Sequence, residues 1–292
     1  MSLRLEAGPY AAAISPQGAE LQTFRWRGQD LLWHGDPAWW GRRAPLLFPV
    51  VGGVAGGQVR MGGLAFPMPK HGFARDLPWE VREASMARAE LVLRDSSATR
   101  LHYPFAFELR IAFTLSEAGL RQAVHLANPG LEPLPAQFGF HPAFRWPLFP
   151  GEAKEAHRLT FDAPEPGPLR RLEADLLSPE RRPTPVEGNV LPLRDDLFEA
   201  DALIWEAPAS RGLRYGIPGR PCLRMTWEAP SFACWTRPGA PFLCLEPWQG
   251  LADPEGFTGE LAERPGAVTL PPGGTTTWAL NLAVEDGAQP IP

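Results

Sequence analysis

Glu108-Leu109-Arg110-Ile111-Ala112-Phe113-Thr114-Leu115-Ser116 alternates with a period of two. Leu109, Ile111, Phe113 and Leu115 fall on one side of an extended chain, and Arg110, Ala112 and Thr114 on the other. That is the spacing of a strand with one buried face. Ser116-Glu117-Ala118-Gly119 then reads as a turn, and Leu120 to Leu126 as the return strand of a hairpin. Trp278, Leu280, Leu282 and Val284 alternate again after the turn formers Pro271-Pro272-Gly273-Gly274. Leu91-Val92-Leu93 and Phe242-Leu243-Cys244-Leu245 are short apolar runs between turn formers, as expected of strands buried on both faces. Helix signals are few. Leu172, Leu176 and Leu177 have helical spacing within residues 170–182, where flanking prolines limit a helix to a few turns. The proline- and charge-rich stretch 163–188 reads as a surface excursion, because strand-like patterns occur on both sides of it. These patterns predict an all-β fold, an antiparallel β-sandwich, with residues 1–292 as a single domain.

The bulk composition agrees with a folded chain and excludes several partners. Of 292 residues, 44% are hydrophobic and eleven are tryptophan, far too apolar for disorder. Proline and glycine make up roughly a fifth, which suits many turns between short strands. The net charge is −5 with no basic block, so no nucleic-acid partner is expected. Lys70 and Lys154 are the only lysines, and the arginine bias carries little functional weight. Cys222, Cys234 and Cys244 are odd in number and lack CxxC spacing, which argues against a disulfide framework or a zinc ribbon. No apolar run reaches membrane-spanning length, and Met1 to Glu6 contain no apolar signal core. The expected location is the cytoplasm, with no membrane partner, as a monomer or homodimer.

Three strings carry the chemistry. His71-Gly72-Phe73-Ala74-Arg75 follows two prolines, so His71 sits in a loop or at a strand end, where function concentrates. The bland alternative is a surface turn with a structural histidine. In Phe138-Gly139-Phe140-His141-Pro142-Ala143-Phe144, the proline pushes His141 to extended geometry at a strand end. Gly139 leaves room for a ligand to approach, while Phe138 and Phe140 face the other way; the alternative is a satisfied core histidine. In Cys244-Leu245-Glu246-Pro247-Trp248, Pro247 cannot extend a central ladder, so the strand should end at Glu246. Apolar neighbours should raise the Glu246 pKa toward what a base near neutral pH needs; the alternative is an edge glutamate pointing to water. Aromatic faces stack on sugar rings, while carboxylates, imidazoles and arginines bind hydroxyls. A pocket with this inventory suits a small-molecule sugar.

These strings, together with Arg42-Arg43-Ala44-Pro45-Leu46-Leu47-Phe48-Pro49-Val50-Val51-Gly52 and Leu197-Phe198-Glu199-Ala200-Asp201-Ala202-Leu203-Ile204, resemble the aldose 1-epimerase (galactose mutarotase-like) superfamily, in particular its LacX-like bacterial branch. The five pieces occur in the family's order. The resemblance implies a β-sandwich of the supersandwich type and cofactor-free interconversion of the anomers of a hexose. It implies Glu246 as base, His141 as acid and His71 as a helper on the ring-oxygen side. Arg42 or Arg43, and Asp201, would bind hydroxyls, with Phe140, Trp248 and Arg75 also contacting substrate. An Arg-Arg pair stands where galactose mutarotases have Asn-Arg, which weakens a claim for galactose. The His-Gly-Phe-Ala-Arg string also resembles the hexose-6-phosphate branch, where Arg75 with Arg42 or Arg43 would meet a phosphate.

Other readings remain open. A carbohydrate-binding or sensing protein would keep the pocket without turnover. Two histidines and a carboxylate can hold zinc, but the spacing is long, HExxH is lacking and Arg75 would repel a cation; no metal or other cofactor is expected. Glycoside hydrolysis needs a second carboxylate facing Glu246, for which Asp201 is the candidate, and leaves the histidines unexplained.

Overall fold

The computed structural model of the chain describes residues 2–287. The 108–127 region forms the expected hairpin: strands Glu108–Ser116 and Gly119–Ala127 pair antiparallel, with Ser116 opposite Gly119. Leu109, Ile111 and Phe113 are fully buried. Each such side chain stabilises the fold by about 1.5–3 kcal/mol relative to exposure. The hairpin lies within a nine-stranded antiparallel sheet, and strand Thr275–Glu285 sits at its middle between Cys222–Trp227 and Gly119–Ala127. A second sheet, of six strands, centres on Phe242–Gln249. A four-stranded meander over Leu3–Asp30 adds a third layer of strands. The result is an antiparallel β-sandwich. Among the described residues no helix is long and apolar enough to cross a membrane.

Residues 170–182 form no helix. Leu172–Glu173 and Leu176–Leu177 pair instead as a small hairpin. Ala174 and Asp175 make its turn, both at positive φ (47° and 70°). The excursion 163–188 is therefore structured, and its hairpin reaches back to the second sheet. Leu177 donates its N–H to the Asp253 carbonyl, and Leu172 and Leu177 pack in one cluster with Trp248.

Strand Phe242–Gln249 decides where the functional side chains go. Leu243 and Leu245 face the main core, while Phe242, Cys244, Glu246 and Trp248 are buried on the opposite face of the sheet. The strand does not end at Glu246; it runs through Pro247 to Gln249 in the middle of its sheet. Ser231–Trp235 pairs with it without a break on one side. On the other side the partner comes in two pieces, Phe138–Phe140 and Ala143–Arg145. The Leu245 N–H reaches the Pro142 carbonyl at 3.0 Å. The nitrogen of residue 247, two positions on, turns to that same side, where His141-Pro142 interrupts the ladder. A proline there has no ladder bond to lose.

Candidate active site

The interruption that tolerates Pro247 also brings His141 to Glu246. His141 Nε2 lies 2.9 Å from Glu246 Oε2, and both residues are buried, at 7% and 1% exposure. Glu246 Oε2 has no other protein partner, and His141 Nδ1 has none. The glutamate is therefore not an edge residue pointing to water. Burial pushes its pKa up, while the His141 imidazole opposes that push.

His71 arrives on a different loop. It sits at φ +67°, followed by Gly72 at +71°, and a Cβ on Gly72 would lie 2.1 Å from the Phe48 carbonyl oxygen. Only glycine fits there, which explains the His-Gly pair. The Gly52 N–H donates to His71 Nδ1 at 3.0 Å. Nδ1 is therefore an acceptor, and the neutral ring carries its proton on Nε2. Burial holds the His71 pKa well below its usual value, helped by the charges of His141, Arg75, Lys70 and Arg42. The rings of His71 and His141 meet edge to face at 5.5 Å.

His71, His141 and Glu246 share a cavity of about 240 Å³ with Asp201, Arg75 and Lys70. Trp40, Trp235 and Trp248 form its aromatic walls, and Gly52, Leu172, Ala202 and Ala252 line the rest. Drug-sized pockets run from roughly 300 to 1,000 Å³, so this volume suits one small ring. Trp40 stacks on His141 at 5.0 Å and 24°. Asp201 lines the cavity at φ +64°, a conformation that L-residues adopt when function or surroundings compel it. Four of the eleven buried polar atoms without a hydrogen-bond partner among the described residues belong to lining residues: His141 Nδ1, Glu246 Oε2, Trp248 Nε1 and Arg75 Nε. On a cavity wall such atoms offer hydrogen bonds to a polar ligand.

Several expected residues lie elsewhere. Phe140 faces the core, edge-on to Phe138, and does not line the cavity. The space beside Gly139 is occupied by the protein itself: a Cβ there would lie 2.6 Å from Trp248 Cδ1. Arg43 donates to the Gln22 carbonyl at 2.8 Å and lies against the N-terminal strands. Arg42 pairs with Asp76 at 2.6 Å in a neighbouring groove, which shares Arg75 and Trp40 with the cavity. Arg75 thus lies between the two spaces. Its Nη2 donates to the Lys70 carbonyl, and burial with repulsion from Arg42 lowers its pKa to about 10. Lys70, Trp40, Trp235 and Leu172 were not expected. Lys70 could have been found beside His71, as one of two lysines; the others come from distant segments without a local signal.

Among the described residues, the donor set with metal-like spacing is His141, Cys244 and Glu246, whose ligand atoms lie within 4.8 Å of one another. His71 is not part of it. Burial pushes the Cys244 thiol well above its ordinary pKa, with the Glu246 charge acting the same way. Lys70 and Arg75 on the same cavity disfavour a cation.

Comparison with known proteins agrees with this fold. A family model described as Aldose 1-epimerase matches residues 1–277. The LacX protein of Lactococcus lactis subsp. lactis is 28% identical over 86% of this chain and 89% of its own length. A galactose mutarotase related enzyme from Lactobacillus acidophilus superposes with a TM-score of 0.92 at 28% identity, covering 99% of this chain and 98% of that one. A galactose mutarotase-like protein from Lactobacillus casei gives 0.90 at 28% identity, over 98% of this chain and all of the other.

Proposed function

The chain belongs to the aldose 1-epimerase family, and from that premise we propose that it interconverts the α and β anomers of a hexose, with Glu246 and His141 as the acid–base pair. The carrying observation is the 2.9 Å contact between two buried groups on the wall of a monosaccharide-sized cavity. The anomeric oxygen and the ring oxygen are bonded to the same carbon. A base for one and an acid for the other must therefore stand side by side.

The Glu246 carboxylate takes the proton of the anomeric hydroxyl as protonated His141 gives its proton to the ring oxygen. The bond between C1 and the ring oxygen breaks and C1 becomes an aldehyde carbon. Rotation about the C1–C2 bond presents the other carbonyl face. Reclosure returns the proton to His141 and the other to the new anomeric oxygen. Protons balance over the cycle and no cofactor takes part. The His71 Nε2–H, with its ring held neutral, donates a hydrogen bond on the ring-oxygen side. Asp201 and Arg75 hold hydroxyls, and the tryptophans take the apolar ring face.

One observation favours a second reading. Arg75 borders both the cavity and the groove of Arg42, and its Nε makes no hydrogen bond, with Asp76 Oδ2 at 3.7 Å as its nearest carboxylate. A hexose 6-phosphate would direct its phosphate there, displacing Asp76 from Arg42. Exchange NMR on glucose, galactose and glucose 6-phosphate separates the readings. Faster anomer exchange than buffer is expected for at least one sugar. Sugar binding without faster exchange would leave a carbohydrate-binding protein and overturn the proposal.

A further inference from the structure

Behind the His71 loop lies a buried charged network that the chemistry above does not use. Arg264 is 3% exposed, and its Nη1 lies 2.8 Å from Asp253 Oδ1. Its Nη2 donates to the carbonyls of Val51 (3.0 Å), Gly53 (3.3 Å) and Leu251 (3.3 Å). Its Nε donates to Gln137 Oε1 at 3.2 Å, and that same oxygen accepts the Val51 N–H at 2.9 Å. The Asp253 N–H holds the Gly53 carbonyl at 3.1 Å. Both residues flanking Gly52 are therefore clamped. Gly52 in turn gives its N–H to His71 Nδ1 and accepts the His71 N–H at 2.9 Å. There is no slack in the loop: Gly52 has φ +72°, and a Cβ on it would lie 2.6 Å from Ala252 Cβ.

A buried arginine–carboxylate pair is a poor stabiliser compared with apolar residues of the same volume. What this one does is point an N–H. We propose that Arg264 is a positioning residue, which clamps residues 51–53 so that the Gly52 N–H fixes His71 in the tautomer with its proton on Nε2, facing the cavity. The proposal rests on the reading that His71 acts on the substrate through Nε2. Without the clamp the loop relaxes, Nδ1 loses its donor, and the ring samples the other tautomer, which offers a lone pair where a donor is required. Partners that orient an active imidazole in metal sites commonly cost 10–100-fold when removed, and a similar loss is expected here.

The test is side-chain ¹⁵N NMR on histidine-labelled full-length protein, with His71 assigned by His71→Gln. Wild type should show an unprotonated Nδ1 and a protonated Nε2. Arg264→Met should show mixed tautomers and a kcat about 10–100-fold lower, with KM changed less. Arg264→Lys should restore one tautomer and most of kcat. If Arg264→Met fails to fold, Arg264→Lys and Arg264→Ala with added guanidinium carry the test. A cavity of about 410 Å³ opens onto Arg264 and Asp253 and gives that ion a way in. A single Nε2–H tautomer in every folded variant overturns the proposal, as does a protonated Nδ1 in wild type. The NMR arm stands even if no sugar is turned over, so its failure is distinct from failure of the epimerase reading.

Discussion

Glu246→Gln separates chemistry from architecture because the two respond in opposite directions. The side chain is 1% exposed, and His141 Nε2 lies 2.9 Å away. Taking an ionised carboxylate out of water costs several kcal/mol, which one imidazole returns only in part. Burial raises the folded pKa above the unfolded one, so this group favours folding below about 4.5, its unfolded value, and loses that contribution as pH rises through the folded value. A neutral amide of the same shape lacks that loss and still offers an oxygen to His141. At pH 7 the variant should be as stable as wild type or more so, by about 1 kcal/mol, or about 2–4 °C in Tm. Its catalysis should fall 10²–10⁴-fold, which is about 3–5 kcal/mol of barrier. Anomer exchange by NMR and thermal melting at pH 7 read the two effects. Activity above a tenth of wild type would refute Glu246 as the base. A Tm several degrees lower would refute the view that its carboxylate is held at a cost.

Gly139→Ala puts a methyl 2.6 Å from Trp248 Cδ1 and 3.0 Å from Leu47 Cδ1, so the indole must shift. Overpacking of about 1–3 kcal/mol is expected, with lower Tm and a several-fold higher KM, while kcat changes little; steady-state kinetics and melting check this. The His71 pKa is depressed by folding, so its contribution to stability is present above its unfolded value of 6.5 and is lost as pH falls toward the folded value. His71→Gln should flatten the decline of Tm over that acid window, measured in a melting series from pH 7 to pH 4. Arg43→Met should lower Tm and leave KM alone, because Arg43 holds the Gln22 carbonyl. Arg75→Met should raise KM, and more steeply for a 6-phosphate than for the free sugar if the phosphate reading holds; initial rates on both sugars decide.

The 108–127 hairpin was legible because its alternation has one buried face and its turn sits at the register point Ser116–Gly119. The 170–182 hairpin was not. Its strands are two residues long, three leucines fit either period, and its left-handed turn uses Ala174 and Asp175 in place of the glycine that marks such turns. Local strings gave His71, His141 and Glu246, since each stands beside a glycine or proline that reads as a break in regular backbone. Phe140 was assigned a substrate contact although the alternation of its string already turned it toward the core, and Gly139 was misread because the space it leaves is filled by Trp248. Trp40 and Trp235 join the site only through long-range packing against His141. Arg264 and Gln137 act one layer further out, on backbone groups, and no local motif marks them.

The most direct measurement is the rate of anomer exchange in a 1-¹³C hexose by magnetisation transfer, with wild type, Glu246→Gln and His141→Gln compared at equal concentration of folded protein. Exchange well above buffer in wild type, falling at least 10²-fold in both variants, is the predicted result. Exchange at the buffer rate in wild type for glucose, galactose and glucose 6-phosphate alike, or variants as fast as wild type, would contradict the assignment of the His141–Glu246 pair as the acid and base of a mutarotase.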